Sequence, residues 1–184
     1  MQIKKPKTFD DLLNLQKMLD ENIGIERENK FIPRGRTEID ILDSIRDEKQ
    51  EWLRELPYNL NFKTWKEKKY DRNKEREEIT DILFFILQLA NFKEGYKSIF
   101  RAYFENWNEE NYGSEFSNES LRKVLTTEFE QDLLNEQYRN DLVRDYNNLC
   151  RWRKFSKQDV LNEYWSKWQK NMKRPSEDWT LKQK

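Results

Sequence analysis

A chain of 184 residues and 22.9 kDa buries roughly 70% of its unfolded surface when it folds as one domain, so residues 1–184 are expected to form a single unit. Thirty-five basic and thirty-five acidic residues cancel, and no global field draws the chain to nucleic acid or to an anionic membrane. With no histidine and one cysteine, Cys150, His-based catalysis, Cys/His zinc sites and internal disulfides are excluded.

In chain order, Thr8 with Asp11 predicts a capped helix running to about Ile23, with Phe9, Leu12, Leu13, Leu19 and Ile23 on one face and Gly24 ending it. Ile25 to Arg36, holding Pro33 and Gly35, lacks periodicity and reads as a loop; Glu38 to Leu56 reads as a second helix closed by Pro57. A basic aromatic segment, Phe62 to Lys69, leads into a third helix from about Glu75 to Asn91, apolar on nearly every side and therefore central. Phe92 to Tyr112 is expected to be helical, Gly113 to Asn118 a turn, Glu119 to Leu149 helical, and Lys157 to Lys173 the last helix, with a loosely held tail from 176 to 184. No proline falls between Tyr58 and Arg174, and the prediction is an all-α fold. The four glycines are too scattered for a phosphate-cradling loop or a dinucleotide fingerprint, and the longest apolar run, Ile82 to Leu87, is too short to span a bilayer. Without a signal-peptide pattern, the chain is expected in the cytoplasm.

The informative acids are those on faces that the apolar pattern assigns to the core, because an uncompensated buried carboxylate costs several kcal/mol. On the third helix Glu78, Asp81, Phe85 and Gln88 fall within an arc of roughly 80°, with Asn91 roughly 60° beyond it, crossing an otherwise apolar cylinder. On the second, Glu48 aligns with Ile41, Ile45 and Trp52, and Glu51 lies on the flank. Four carboxylates from two helices can converge into a hard oxygen site suited to Mg²⁺ or Mn²⁺. The alternative leaves Glu51 or Glu78 in solvent or paired with Lys49 or Arg76. Gln16, set among Phe9, Leu12, Leu19 and Ile23, is a buried amide that either bonds a backbone group or reads a planar polar ligand. Lys63 and Lys66, with Lys167, Asn171 and Arg174 at i, i+4, i+7, can donate to phosphate oxygens; the alternative is a solvated surface, favoured for Lys68 and Lys69. Together these features point to a nucleoside polyphosphate.

The blocks LNLQKMLD, DEKQEWLREL, NFKTWK, EEITDILFFILQLAN and YWSKWQKNMKR, in that order, resemble the all-α nucleoside triphosphate pyrophosphatases, specifically the dimeric dUTPase group with its phage dCTP/dUTP relatives. Tyr164, Lys167, Asn171 and Arg174 keep that family's Y-x-x-K-x-x-x-N-x-x-R spacing, whereas Phe92 to Gln158 does not align. The resemblance implies Mg²⁺-dependent hydrolysis of dUTP to dUMP and pyrophosphate by a homodimer, in the host cytoplasm if phage-encoded. It implies that Glu48, Glu51, Glu78 and Asp81 hold Mg²⁺ (or Mn²⁺) and carry catalysis, with Glu48 handling the attacking water. Lys63, Lys66, Lys167, Asn171 and Arg174 would grip phosphate, and Gln16, Trp65, Phe85 and Asn91 would form the base and sugar pocket. Many members carry His before the aromatic matched by Phe85, where this chain has Phe84, so dCTP or a broader set of nucleotides is the alternative substrate. Outside enzymes, the alternatives are a helical scaffold and single-strand nucleic-acid binding through Arg151 to Arg174, the latter disfavoured by net neutrality.

Overall fold

The computed structural model describes residues 3–28, 36–63, 65, 68–108 and 116–173. Seven α-helices, and no strand among the described residues, follow one another: α1 (Phe9–Glu28), α2 (Glu38–Glu55), α3 (Arg72–Phe92), α4 (Lys97–Glu105), α5 (Asn118–Leu134), α6 (Leu142–Trp152) and α7 (Lys157–Lys173). Single 3₁₀ turns, Glu94–Tyr96 and Arg139–Asp141, precede α4 and α6.

Local chemistry explains the starts. Thr37 and Asp40 form a reciprocal capping box, with the Asp40 N–H on the Thr37 hydroxyl at 3.3 Å and the Thr37 N–H on the Asp40 carboxylate at 2.7 Å. Thr8 and Asp11 do the same for α1 at 3.2 and 3.0 Å, as the sequence predicts. Asp71 caps α3 through Asn73 and Lys74, so that helix begins three residues before Glu75. Helix α1 runs through Gly24 to Glu28, correcting the expected stop; a glycine inside a helix costs about 1 kcal/mol and does not by itself end it.

The stretch 119–149 is two helices, not one. Asn135 leaves helical geometry at φ −101° and ψ 111°, and its side chain accepts the Gln137 N–H at 3.1 Å, a local turn that outcompetes the next helical bond. Likewise Phe92 to Tyr112 resolves into the end of α3, a 3₁₀ turn and α4, with 109–112 outside the described residues. Of the turn expected at 113–118, residues 113–115 lie outside the described residues, Ser117 caps α5 and Asn118 begins it; the tail at 176–184 also lies outside them.

Helix α3 is the axis of the molecule. Ile79, Ile82, Leu83, Ile86, Leu87, Leu89 and Ala90 are fully buried, and α1, α2, α4, α6 and α7 all pack against it, most extensively α2. Trp52 meets Trp152 edge-on at 6.2 Å, and the Trp168 indole N–H donates to the Leu15 carbonyl at 2.7 Å, tying α7 to α1. This arrangement sets the acidic stripe of α3 between α2, α1 and α7.

Candidate active site

Burying Ile41, Ile45 and Trp52 of α2 against α3 carries Glu48, on the same face, into the seam between the two helices. There it meets Glu78 and Asp81, one helical turn apart on α3. Each of the three offers a carboxylate oxygen, and these oxygens lie within 4.8 Å of one another. They line a cleft of about 890 Å³, to which Glu51 and Glu77 add two further acids. Burial pushes Glu48 up to about 8, and the negative charges of Asp81, Glu51 and Glu78 push in the same direction. Burial likewise raises Glu78 and Asp81, each also held up by neighbouring acids and opposed by Lys167.

Two of the cations near this cluster in sequence, Lys49 and Arg76, are engaged elsewhere, and Lys167 alone of those named reaches it. Lys49 pairs with Glu130 on α5, and Arg76 donates to Glu163 on α7 at 2.9 Å. From α7, the Lys167 ammonium reaches Asp81 and also donates to the Glu77 carbonyl at 3.2 Å. Three clustered oxygen donors without nitrogen or sulfur, each destabilised as an anion by its neighbours, fit a divalent cation.

Further along α3 the lining turns from acid to aromatic and amide. Phe84 stacks on Tyr164 with centroids 4.1 Å apart at 19°, and the Arg36 guanidinium lies 4.8 Å from the Phe85 ring centroid. Asn91 donates to the Leu13 carbonyl at 3.0 Å. Gln16, 4% exposed, accepts from the Tyr164 hydroxyl at 3.1 Å and donates to Asp20 at 2.9 Å. Gln88 donates to the same Asp20 oxygen at 2.7 Å.

Of the residues singled out in the sequence, Gln16, Glu48, Glu51, Glu78, Asp81, Phe85, Asn91, Lys167 and Asn171 line this one cleft. Lys63 and Trp65 are not among its lining residues; Trp65 is 76% exposed, and the Lys63 ammonium lies 5.8 Å from the Phe62 ring centroid. Lys66 and Arg174 fall outside the described residues. The lining also includes Asp20, Arg36, Glu77, Gln88 and Lys170, to which the sequence reading assigns no site role. Asp20 follows Gln16 by four residues and Lys170 follows Lys167 by three, spacings that share a helix face and were available as signals. Arg36 sits in a segment without periodicity and gave none.

A bundle of helices whose cleft joins a cation-ready carboxylate cluster to lysines, aromatic rings and amides defines the class of all-α nucleotide hydrolases. A family model described as dUTPase matches residues 8–179, and the chain belongs to that family. The match takes in 92–158, the stretch in which no resemblance is visible by inspection, and makes the protein a dUTP diphosphatase-like enzyme with a nucleotide substrate. No curated protein matches the chain. Among the described residues no helix is long and apolar enough to cross a membrane.

Proposed function

We propose that the enzyme hydrolyses dUTP to dUMP and pyrophosphate with Mg²⁺, for which Mn²⁺ can substitute. The observation that carries this reading is the meeting of Glu48, Glu78 and Asp81 within 4.8 Å inside a cleft whose other walls are cationic, aromatic and amide. Glu48, Glu78 and Asp81, with Glu51 beside them, would hold the cation, which when bound supplies charge neutralisation and Lewis acidity toward phosphate oxygens.

The protein's own groups do the rest. Burial and the charges of Asp81, Glu51 and Glu78 push Glu48 up to about 8 in the metal-free cleft; a bound cation would favour its carboxylate form, which is placed to accept a proton from the attacking water. Lys167 and Asn171, one turn apart on α7, face the acids from across the cleft and would bind phosphate oxygens, stabilising the charge that develops on the pyrophosphate leaving group. Lys170, which also lines the cleft and lies 3.8 Å from Glu77, extends that cationic edge. Phe84, Phe85 and Asn91 would seat the nucleoside, with dCTP or a broader nucleotide set as the alternative substrate. We read the working unit as a single domain in a cytoplasmic homodimer, in the host's cytoplasm if the gene is a phage's.

The test is release of pyrophosphate and monophosphate from each common (d)NTP and from dUTP, with Mg²⁺ and with chelator. Release from dUTP that chelation abolishes supports the reading; silence across the panel overturns it.

A further inference from the structure

The ammonium of Lys167 reaches into the acid cluster from α7. It pairs with Asp81 and donates to the Glu77 carbonyl at 3.2 Å. Asp81 is one of the three acids whose oxygens lie within 4.8 Å of one another, and the charge of Lys167 opposes the upward push on all three, Glu48, Glu78 and Asp81. In the metal-free cleft Lys167 is therefore a counter-ion of the whole cluster. The helix that carries it is fastened on both sides. Glu163, one turn earlier, accepts from Arg76 of α3 at 2.9 Å, and Trp168, the next residue, donates to the Leu15 carbonyl at 2.7 Å. The backbone of α7 is thus held while the four-carbon stem of a lysine can re-aim a compact charge and its three donors.

An Asp81 oxygen held by an ammonium is not open to a divalent cation, and two positive charges at one carboxylate repel each other. Phosphate arriving without the cation meets the converse penalty. Drawing Lys167 away leaves the partly buried Asp81 beside Glu48 and Glu78 without that counter-charge. When both are present, the cation takes the place of Lys167 at Asp81 and phosphate takes the place of Asp81 at Lys167, so neither charge is stranded. The Glu77 carbonyl, a backbone acceptor, is available to the ammonium in either position.

We propose that Lys167 is a two-position lysine, paired with Asp81 in the empty cleft and with substrate phosphate in the loaded one, and that this exchange makes the divalent cation and the triphosphate bind cooperatively. The inference rests on the reading that the cleft holds a nucleoside triphosphate with a metal. The coupling is reciprocal: whatever the metal adds to nucleotide affinity through Lys167, the nucleotide adds to metal affinity.

The experiment measures, by titration calorimetry at one pH, the affinity for Mn²⁺ alone and for α,β-imido-dUTP at saturating Mn²⁺, in wild type, Lys167→Met and Lys170→Met. Lys167→Met should bind Mn²⁺ about fivefold or more tighter than wild type, the lower end of ordinary coupling between sites, and the analogue about tenfold or more weaker. Opposite signs in one variant are the signature of the exchange. Lys170, on the same helix with its ammonium 3.8 Å from Glu77, tests for a mere field effect. As an exposed and screened charge, its removal should change Mn²⁺ affinity by less than about twofold. Unchanged or weaker Mn²⁺ binding in Lys167→Met overturns the inference, as does equal tightening in both variants or an unaffected analogue. Loss of both ligands together marks a structural role and overturns it too. Where Lys167→Met does not fold, Lys167→Gln, uncharged and still able to donate to the Glu77 carbonyl, gives the same comparison. If neither wild type nor the Lys167 variant takes up Mn²⁺, the reading of the metal site itself fails; Mn²⁺ uptake without analogue binding leaves that site standing and removes the nucleotide. In both cases the inference falls with the reading.

Discussion

Glu48 is costly to the empty protein. Its carboxyl titrates near 8 in the folded state against 4.5 ordinarily, first because it is buried and then because Asp81, Glu51 and Glu78 surround it. The folded state therefore holds more protons than the unfolded one between those values, and stability falls as pH rises from about 4.5 to 8. Glu78 and Asp81 shift in the same direction and add to the slope. Replacing Glu48 by Gln removes a charge and keeps the shape. Since Glu48 is partly solvated, screening limits the gain to about 1–2 kcal/mol at pH 8. We expect Glu48→Gln to melt higher than wild type at pH 8 without metal, to match it near pH 5, and to lose about a thousandfold or more in kcat. Thermal melts at the two pH values, beside a turnover assay, check all three.

Gln16, Glu48, Glu78 and Asp81 could be read from the sequence because each breaks a helical apolar pattern, and a polar residue on a core face has few reasons to be there. Asp20 breaks no apolar pattern: its mark in the sequence is that it follows Gln16 by four residues, a weak signal in a chain rich in acids, and the approach of Gln88 from α3 gives that signal weight.

At the level of the helices, the capped starts of α1 and α2 were legible because Thr8 with Asp11 and Thr37 with Asp40 act within four residues of chain. The division between α5 and α6 was not, since the turn at Asn135 competes with helix by a margin that tertiary packing decides. The anchor of α3 was equally hidden. Glu75, fully buried, accepts from Arg153 at 2.5 and 3.0 Å and from the Tyr70 hydroxyl at 2.6 Å, across 78 residues of sequence. Arg72 adds bonds to the Arg153 and Lys154 carbonyls at 3.3 and 2.8 Å. The start of α3 is thus fastened to the α6–α7 junction, one turn before Glu78.

Removing one partner of this pair leaves a charge in a desolvated place. Glu75→Gln should cost about 3–5 kcal/mol and lower the melting temperature by about 10 °C. The double variant Glu75→Leu with Arg153→Met should recover most of that loss, because no ion then remains unpaired. Denaturant melts of the two variants distinguish a buried ion pair from simple packing, which the double substitution would not restore. Activity at low temperature should stay within a few-fold of wild type, since neither residue lines the cleft.

For the whole molecule, a net charge of zero conceals an uneven distribution. Five carboxylates of α2 and α3 face one cleft, and among the described residues the lysines that line it with them come from α7. The protein as a whole therefore offers no field to steer a polyanion, and the cleft itself opposes one until a cation is present. Metal and stability are then linked through pH. On the proposed reading, a divalent cation at pH 8 would bind the folded state and offset the mutual repulsion of Glu48, Glu78 and Asp81, whereas at pH 5.5 protons on that cluster would compete with it. Binding at a hundred times the dissociation constant stabilises by about 2.7 kcal/mol, which for a domain of this size is a rise of roughly 5–10 °C. Melts with Mg²⁺ should show that rise at pH 8 and little of it at pH 5.5, and the metal should flatten the decline in stability that the metal-free protein shows between them. Glu48→Gln should lose most of the rise at pH 8, because the same substitution that relieves the repulsion removes an oxygen donor. A rise that is equal at both pH values, or unchanged in Glu48→Gln, would place the stabilising metal somewhere other than the seam between α2 and α3.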